Sequence, residues 1–158
     1  PVTDEAGVTI PGQEYLKDGR DRPNAVYGGI PCGCSVPNGK PLSYRLPAPS
    51  PIKAVHITFN SDLDRRTLPG DFCERSHSMR ANVRLDSPPA YVPLTLCRAF
   101  RLEADTPDGT VILLEETRNV RRSYHIALHR GDVLALRLIP LENWGGTEQT
   151  DLFSFDFT

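Results

Sequence analysis

The sequence predicts an all-β fold, an antiparallel sandwich of about eight strands, and three observations carry that prediction. Apolar residues recur at alternate positions, as where Tyr124, Ile126 and Leu128 alternate with Ser123, His125 and His129, the period-2 signature of a half-buried strand. The 15 prolines of the 158-residue chain fall between the apolar runs, which suits many short strands and disfavours long helices. At the close of the chain Phe153, Phe155 and Phe157 share one strand face, with Ser154 and Asp156 on the other. Burying each ring is worth roughly 2–3 kcal/mol.

Taken in order, residues 1–11 read as an arm with one short strand at 8–10, stopped by Pro11-Gly12. The loop from Tyr15 to Asn24 packs Asp18-Gly19, Asp21 and Pro23-Asn24 into a few positions, all turn formers. Such a loop either turns carbonyls and carboxylates inward, the oxygen-rich arrangement a hard cation such as calcium takes, or is an Asx-turn loop with solvated acids. Residues 42–46 alternate cleanly, and Pro47 to Pro51 end them. Residues 53–60 form the next strand, with Val55, Ile57 and Phe59 inward and His56, Thr58 and Asn60 outward. A charged loop with Asp62, Asp64 and Arg65 precedes the longest irregular stretch, 67–89, which holds Cys73, His77, Met79 and Arg80. Long irregular loops in compact domains are often functional. Residues 94–104 and 110–117 pair as a hairpin through Asp108-Gly109, a strong turn signal. Strand segments at 121–129, 133–139 and 152–158 close the chain, with Trp144 in the connection between the last two.

The formal net charge of -2 gives no electrostatic reason to expect nucleic acid or an anionic membrane as partner. No apolar run approaches the roughly 18 residues needed to span a bilayer. The chain opens at Pro1 with polar residues, so no signal peptide is expected, and it is expected to be a single domain, 1–158, excised from a larger protein. Cys32-Gly33-Cys34 is spaced too tightly for the usual zinc knuckle or a thioredoxin-type pair, and a zinc set completed by Cys73 and His77 is disfavoured on spacing. The cysteines read best as buried thiols, with a Cys73–Cys97 disulfide left open.

In this order the pieces resemble the discoidin-like, galactose-binding-like jelly roll of coagulation-factor C domains and bacterial carbohydrate-binding modules. The residues that carry the resemblance are the Leu16-Lys17-Asp18-Gly19 loop, the strands at 42–46 and 52–59, Arg137-Leu138, and the aromatic strand ending in Phe157. The resemblance implies a structural calcium ion tying the early loop to the sheet, with Asp18 the best ligand and Asp21 next. At the position expected to offer a closing acid the chain has Ser154, and Asp156 lies two residues on. Asn119-Val120-Arg121-Arg122, Trp144-Gly145-Gly146 and the strand from Val55 into Asp62-Leu63-Asp64 also resemble the C-terminal region of bacterial FAD-dependent oxidoreductases. In those proteins the redox chemistry lies in an upstream domain.

The galactose-binding-like resemblance places a binding site on loops at one end of the sandwich. Sugar binding asks for a ring that packs on the C–H face of the sugar and planar side chains that meet its hydroxyls. The candidates are Trp144 with Asn143, Arg65, and His77 with Arg80. The plainer readings are a Trp144 that plugs the core, solvated or paired arginines and a surface histidine. No nucleophile elbow, His-Glu-x-x-His, P-loop or dinucleotide fingerprint occurs in the chain. The expected function is a non-catalytic, carbohydrate-binding accessory module of bacterial type, with glycan and the parent chain's other domains as partners. The compartment stays open, with an extracellular or cell-surface place favoured over a cytoplasmic one. The alternative is a non-binding structural domain of a larger enzyme.

Overall fold

The computed structural model of the chain describes residues 2–3, 6–20, 32–61 and 92–158. Among them are seven strands: β1 (Val2–Thr3), β2 (Cys34–Pro37), β3 (Leu42–Phe59), β4 (Cys97–Thr106), β5 (Gly109–Glu116), β6 (Ser123–Asn143) and β7 (Gln149–Phe157). A short 3₁₀ turn, Gln13–Lys17, is the one helical element among the described residues, and no described helix is long and apolar enough to cross a membrane. Every strand pairing is antiparallel, in the order β2-β7-β3-β6-β4-β5, with β1 on β3.

This hydrogen-bonded sheet is folded over on itself. Phe59 bonds Arg122, just before the start of β6, and Phe100 pairs with Pro140 near its end. Along a straight strand those two places would be roughly 55 Å apart. Their rings nonetheless meet at 5.0 Å. Tyr44 and Phe155 make the same contact at 5.0 Å, although Phe155 pairs with Ile57 at the far end of β3. β3 and β6 therefore bend midway and run through both layers of an antiparallel β-sandwich. One layer holds β1, the first half of β3, the second half of β6, β4 and β5. The other holds β2, β7 and the remaining halves.

The bends explain where the strands differ from expectation. Pro47 to Pro51 were expected to end a strand, yet β3 runs through them. The prolines are exposed there, and the pairing with β6 shifts register between Arg45 and Ser50, again before Ile52, and again before Ala54. Proline is tolerated at such irregular positions because no ladder hydrogen bond is asked of its nitrogen. On β6 the matching corner carries His129 at φ 50, and it joins the expected strands at 121–129 and 133–139 into one. The breakers mark corners, not ends. β2 was not expected, and of residues 8–10 only Thr9 bridges a strand, to Thr3.

Between the layers sit Val55, Ile57, Phe59, Phe100, Leu102, Leu136, Leu138 and Phe155, all fully buried. The inward assignments hold in β3, but in β7 only Phe155 of the three expected aromatics joins the core cluster. Phe157 is partly buried, and a register shift beside Phe153 brings Leu152 opposite Phe59 in its place. Ser154 and Thr58, placed outward, are buried as well, and Ser154 Oγ donates to the Leu16 carbonyl of the 3₁₀ turn at 3.4 Å. At Gly33 the chain crosses β7 so closely that a Cβ would lie 1.9 Å from the Leu152 carbonyl oxygen.

Candidate functional site

At one end of the sandwich the β6–β7 connection carries Asn143, Trp144, Gly145 and Gly146. Asn143 is buried, and its amide is spent inside the loop. Its Nδ2 donates to the Gln149 carbonyl at 2.7 Å, and its Oδ1 accepts from the Thr147 amide at 2.9 Å. The backbone of Trp144 donates to Leu96 at 3.0 Å and that of Gly145 to Leu94 at 2.8 Å. A Cβ on Gly145 would sit a tight 3.0 Å from the Leu94 carbonyl oxygen, and Gly146 has φ 67, a left-handed backbone that favours glycine.

This loop holds the Trp144 ring at a fixed angle, half-buried against the core. Its indole N–H donates to the Asn119 carbonyl at 2.7 Å. The Arg98 guanidinium carbon lies 5.3 Å from the ring centroid, within cation–π range. Arg98 also pairs with Glu142 at 2.9 Å. Leu94, whose carbonyl takes the Gly145 amide, and Val120, next to Asn119 in the chain, are exposed large apolar residues. An anchored aromatic ring with an arginine, a carboxylate and apolar neighbours can pack a sugar's C–H face and meet its hydroxyls.

Trp144 and Asn143 are thus brought together, one presenting a ring and the other closing the loop beneath it. Arg65, His77, Arg80 and the metal candidate Asp21 lie outside the described residues, as does Cys73. Asp18 is exposed, with Oδ1 accepting the Arg20 amide at 2.8 Å. Asp156 Oδ1 lies 3.1 Å from Lys17 Nζ. Cys34 and Cys97 are buried thiols, and burial pushes each up to about 12. A thiol so raised is a poor nucleophile. Sequence reasoning missed Arg98 and Asn119. Arg98 falls on an ordinary alternating strand, and nothing local marks its approach to Trp144.

Comparison with solved structures gives the same architecture. The family 32 carbohydrate-binding module of Streptococcus pneumoniae EndoD matches 99% of this chain and 94% of its own at 14% identity, with a TM-score of 0.60. The module GH31 CBM32-2, solved bound to GalNAc, matches 99% of this chain and 95% of its own at 10% identity, also with a TM-score of 0.60. The chain has the discoidin-like, galactose-binding-like fold. A two-domain protein of unknown function from Bacteroides fragilis matches 98% of this chain at 12% identity and a TM-score of 0.57, and there the chain spans 40% of the larger protein. No protein-family model matches the sequence, and no curated protein is significantly similar to it.

Proposed function

We propose that this chain is a glycan-binding accessory module that takes a galactose-configured sugar on the Trp144 end of the sandwich. The observation that carries the reading is the anchored, partly buried Trp144 ring with Arg98 beside it, on a fold shared nearly end to end with carbohydrate-binding modules. Trp144 supplies the apolar platform, and Arg98 and Glu142 supply hydrogen-bonding groups at its margin. Asn143 acts as a positioning residue, because its amide is already bonded within the loop. GalNAc, bound in one of the neighbouring modules, is the first sugar to try. Arg65, His77 and Arg80, assigned to the same site from the sequence, belong to the same test. Any catalysis, and the domains that perform it, would lie elsewhere in a parent protein.

A glycan array run in calcium and again in chelator tests this. The expected result is a reproducible hit among galactose and GalNAc glycans that is lost in Trp144→Ala and weakened in Arg98→Ala. A blank array with folded protein overturns the reading in favour of a structural domain of a larger enzyme.

A further inference from the structure

Lys17, the last residue of the 3₁₀ turn, reaches the opposite termini of two strands at once. Its ammonium nitrogen lies 3.1 Å from Asp156 Oδ1 on β7, 3.9 Å from the Phe157 ring centroid and 4.3 Å from the Tyr44 ring centroid on β3. One cation thus meets a carboxylate and two ring faces, all within cation–π and ion-pair range. The turn it belongs to is laid over β7, where Ser154 donates to the Leu16 carbonyl and the Leu16 side chain is buried in the core.

This tie joins the two places that the discoidin-like resemblance joins through calcium. The described donors do not fit that ion. Calcium takes six to eight oxygens at about 2.3–2.6 Å, whereas the surroundings of Asp156 offer an ammonium and two aromatic rings. A divalent cation on that carboxylate would face a like charge a few ångströms away. Asp18 caps the Arg20 amide and has Arg20 Nε 3.7 Å from its other oxygen. Ser154, where a closing acid is expected, is a hydroxyl already engaged. Among the described residues no three His, Cys, Asp or Glu side chains are grouped to hold a metal ion.

We infer that Lys17 is a built-in cation that fastens the early loop to the closing strand, in the role the resemblance gives to calcium. The attachment is therefore lysine-dependent and calcium-independent. An ammonium on a four-carbon stem needs no free metal, so the loop stays docked wherever calcium is scarce.

The test is thermal melting of the full chain in calcium and in chelator, with amide exchange read over residues 13–17. The wild type should melt at the same temperature in both solutions. Lys17→Met, which keeps the apolar stem, should lower Tm by about 2–6 °C and speed exchange of the turn amides, and Lys17→Arg should recover most of the loss. In a double-mutant cycle with Asp156→Asn the two losses should be less than additive. A wild-type Tm that rises in calcium overturns the inference. So does a Lys17→Met chain with wild-type melting and exchange, or strict additivity in the cycle. If Lys17→Met does not fold, Asp156→Asn alone must show the same loss and the same indifference to calcium, or the inference fails.

Discussion

The indole N–H of Trp144 donates to the backbone carbonyl of Asn119 at 2.7 Å, which makes a buried asparagine the foundation of the candidate site. Asn119 is 1% exposed. Its Nδ2 donates to the Cys97 carbonyl at 2.8 Å, while its Oδ1 accepts from the Arg121 amide at 2.6 Å and the Tyr124 hydroxyl at 2.9 Å. Asn119→Ala would remove all three bonds and leave the buried Cys97 carbonyl without this donor, and it should cost about 1–3 kcal/mol. Urea denaturation measures that loss. Because Trp144 is the sole tryptophan, its emission should shift red at the same time as the ring loosens.

Arg98→Ala should separate binding from stability. The Arg98 side chain is 42% exposed and that of its partner Glu142 48%, so losing the ion pair and the ring contact should cost under about 1 kcal/mol of stability. Affinity for the best glycan from the array should fall about tenfold, about 1.4 kcal/mol of binding. Titration calorimetry beside a thermal melt reads both, and equal losses in the two would mean that Arg98 only supports the fold.

Gly33→Ala should abolish stable folding. At φ 72 the new Cβ would collide with backbone, 1.9 Å from the Leu152 oxygen and 2.8 Å from the Phe153 Cα. Backbone cannot rotate out of the way as a side chain can, so the loss should be about 4 kcal/mol or more. Gly39→Ala is the control: it shares the positive φ but meets nothing within 4 Å, and it should cost only the strain of the left-handed backbone, about 1 kcal/mol. Thermal melts of the two variants side by side give the comparison.

Stability should fall on the alkaline side. Burial raises Cys34 and Cys97 from 9.0 to about 12 and Tyr124 from 10.0 to about 12. A raised folded-state pKa means the native chain keeps protons that the unfolded chain releases. Below about pH 9 the thiols make no difference. Between about pH 9 and 12 each thiol removes about 1.4 kcal/mol per pH unit. Urea midpoints followed upward from neutral pH should drop across that window, and Cys34→Ala should make the slope shallower. A flat profile would contradict the burial of these thiols.

Much of the fold was legible because alternation is a local signal. Val55, Ile57, Phe59 and Phe155 could be placed inward from their neighbours alone, and all are fully buried. Asp108-Gly109 marked its hairpin for the same reason. What failed depended on partners. Pro47 to Pro51 carry the same breaker chemistry whether a strand stops or turns a corner, and only the register against β6 distinguishes the two. β2 has two apolar residues, Cys34 and Val36, too few for a pattern. Of the candidate site, a lone Trp before two glycines stood out in the sequence, whereas its contacts with Arg98 and Asn119, like the Lys17–Asp156 pair elsewhere, come together only when distant segments do.

The two bent strands have a kinetic consequence. β3 and β6 supply backbone to both layers, so neither layer can melt while the other stands. Amides in opposite layers, such as those of Leu42 and Phe155, should therefore exchange through one common opening. The ladder that makes this possible pairs Leu42 with Leu138 and Thr58 with Ser123, residues far apart along the chain. Loop closure on that scale must precede most of the stabilising contacts, which places folding in the millisecond-to-second range. Until β6 is complete, the chain has neither layer.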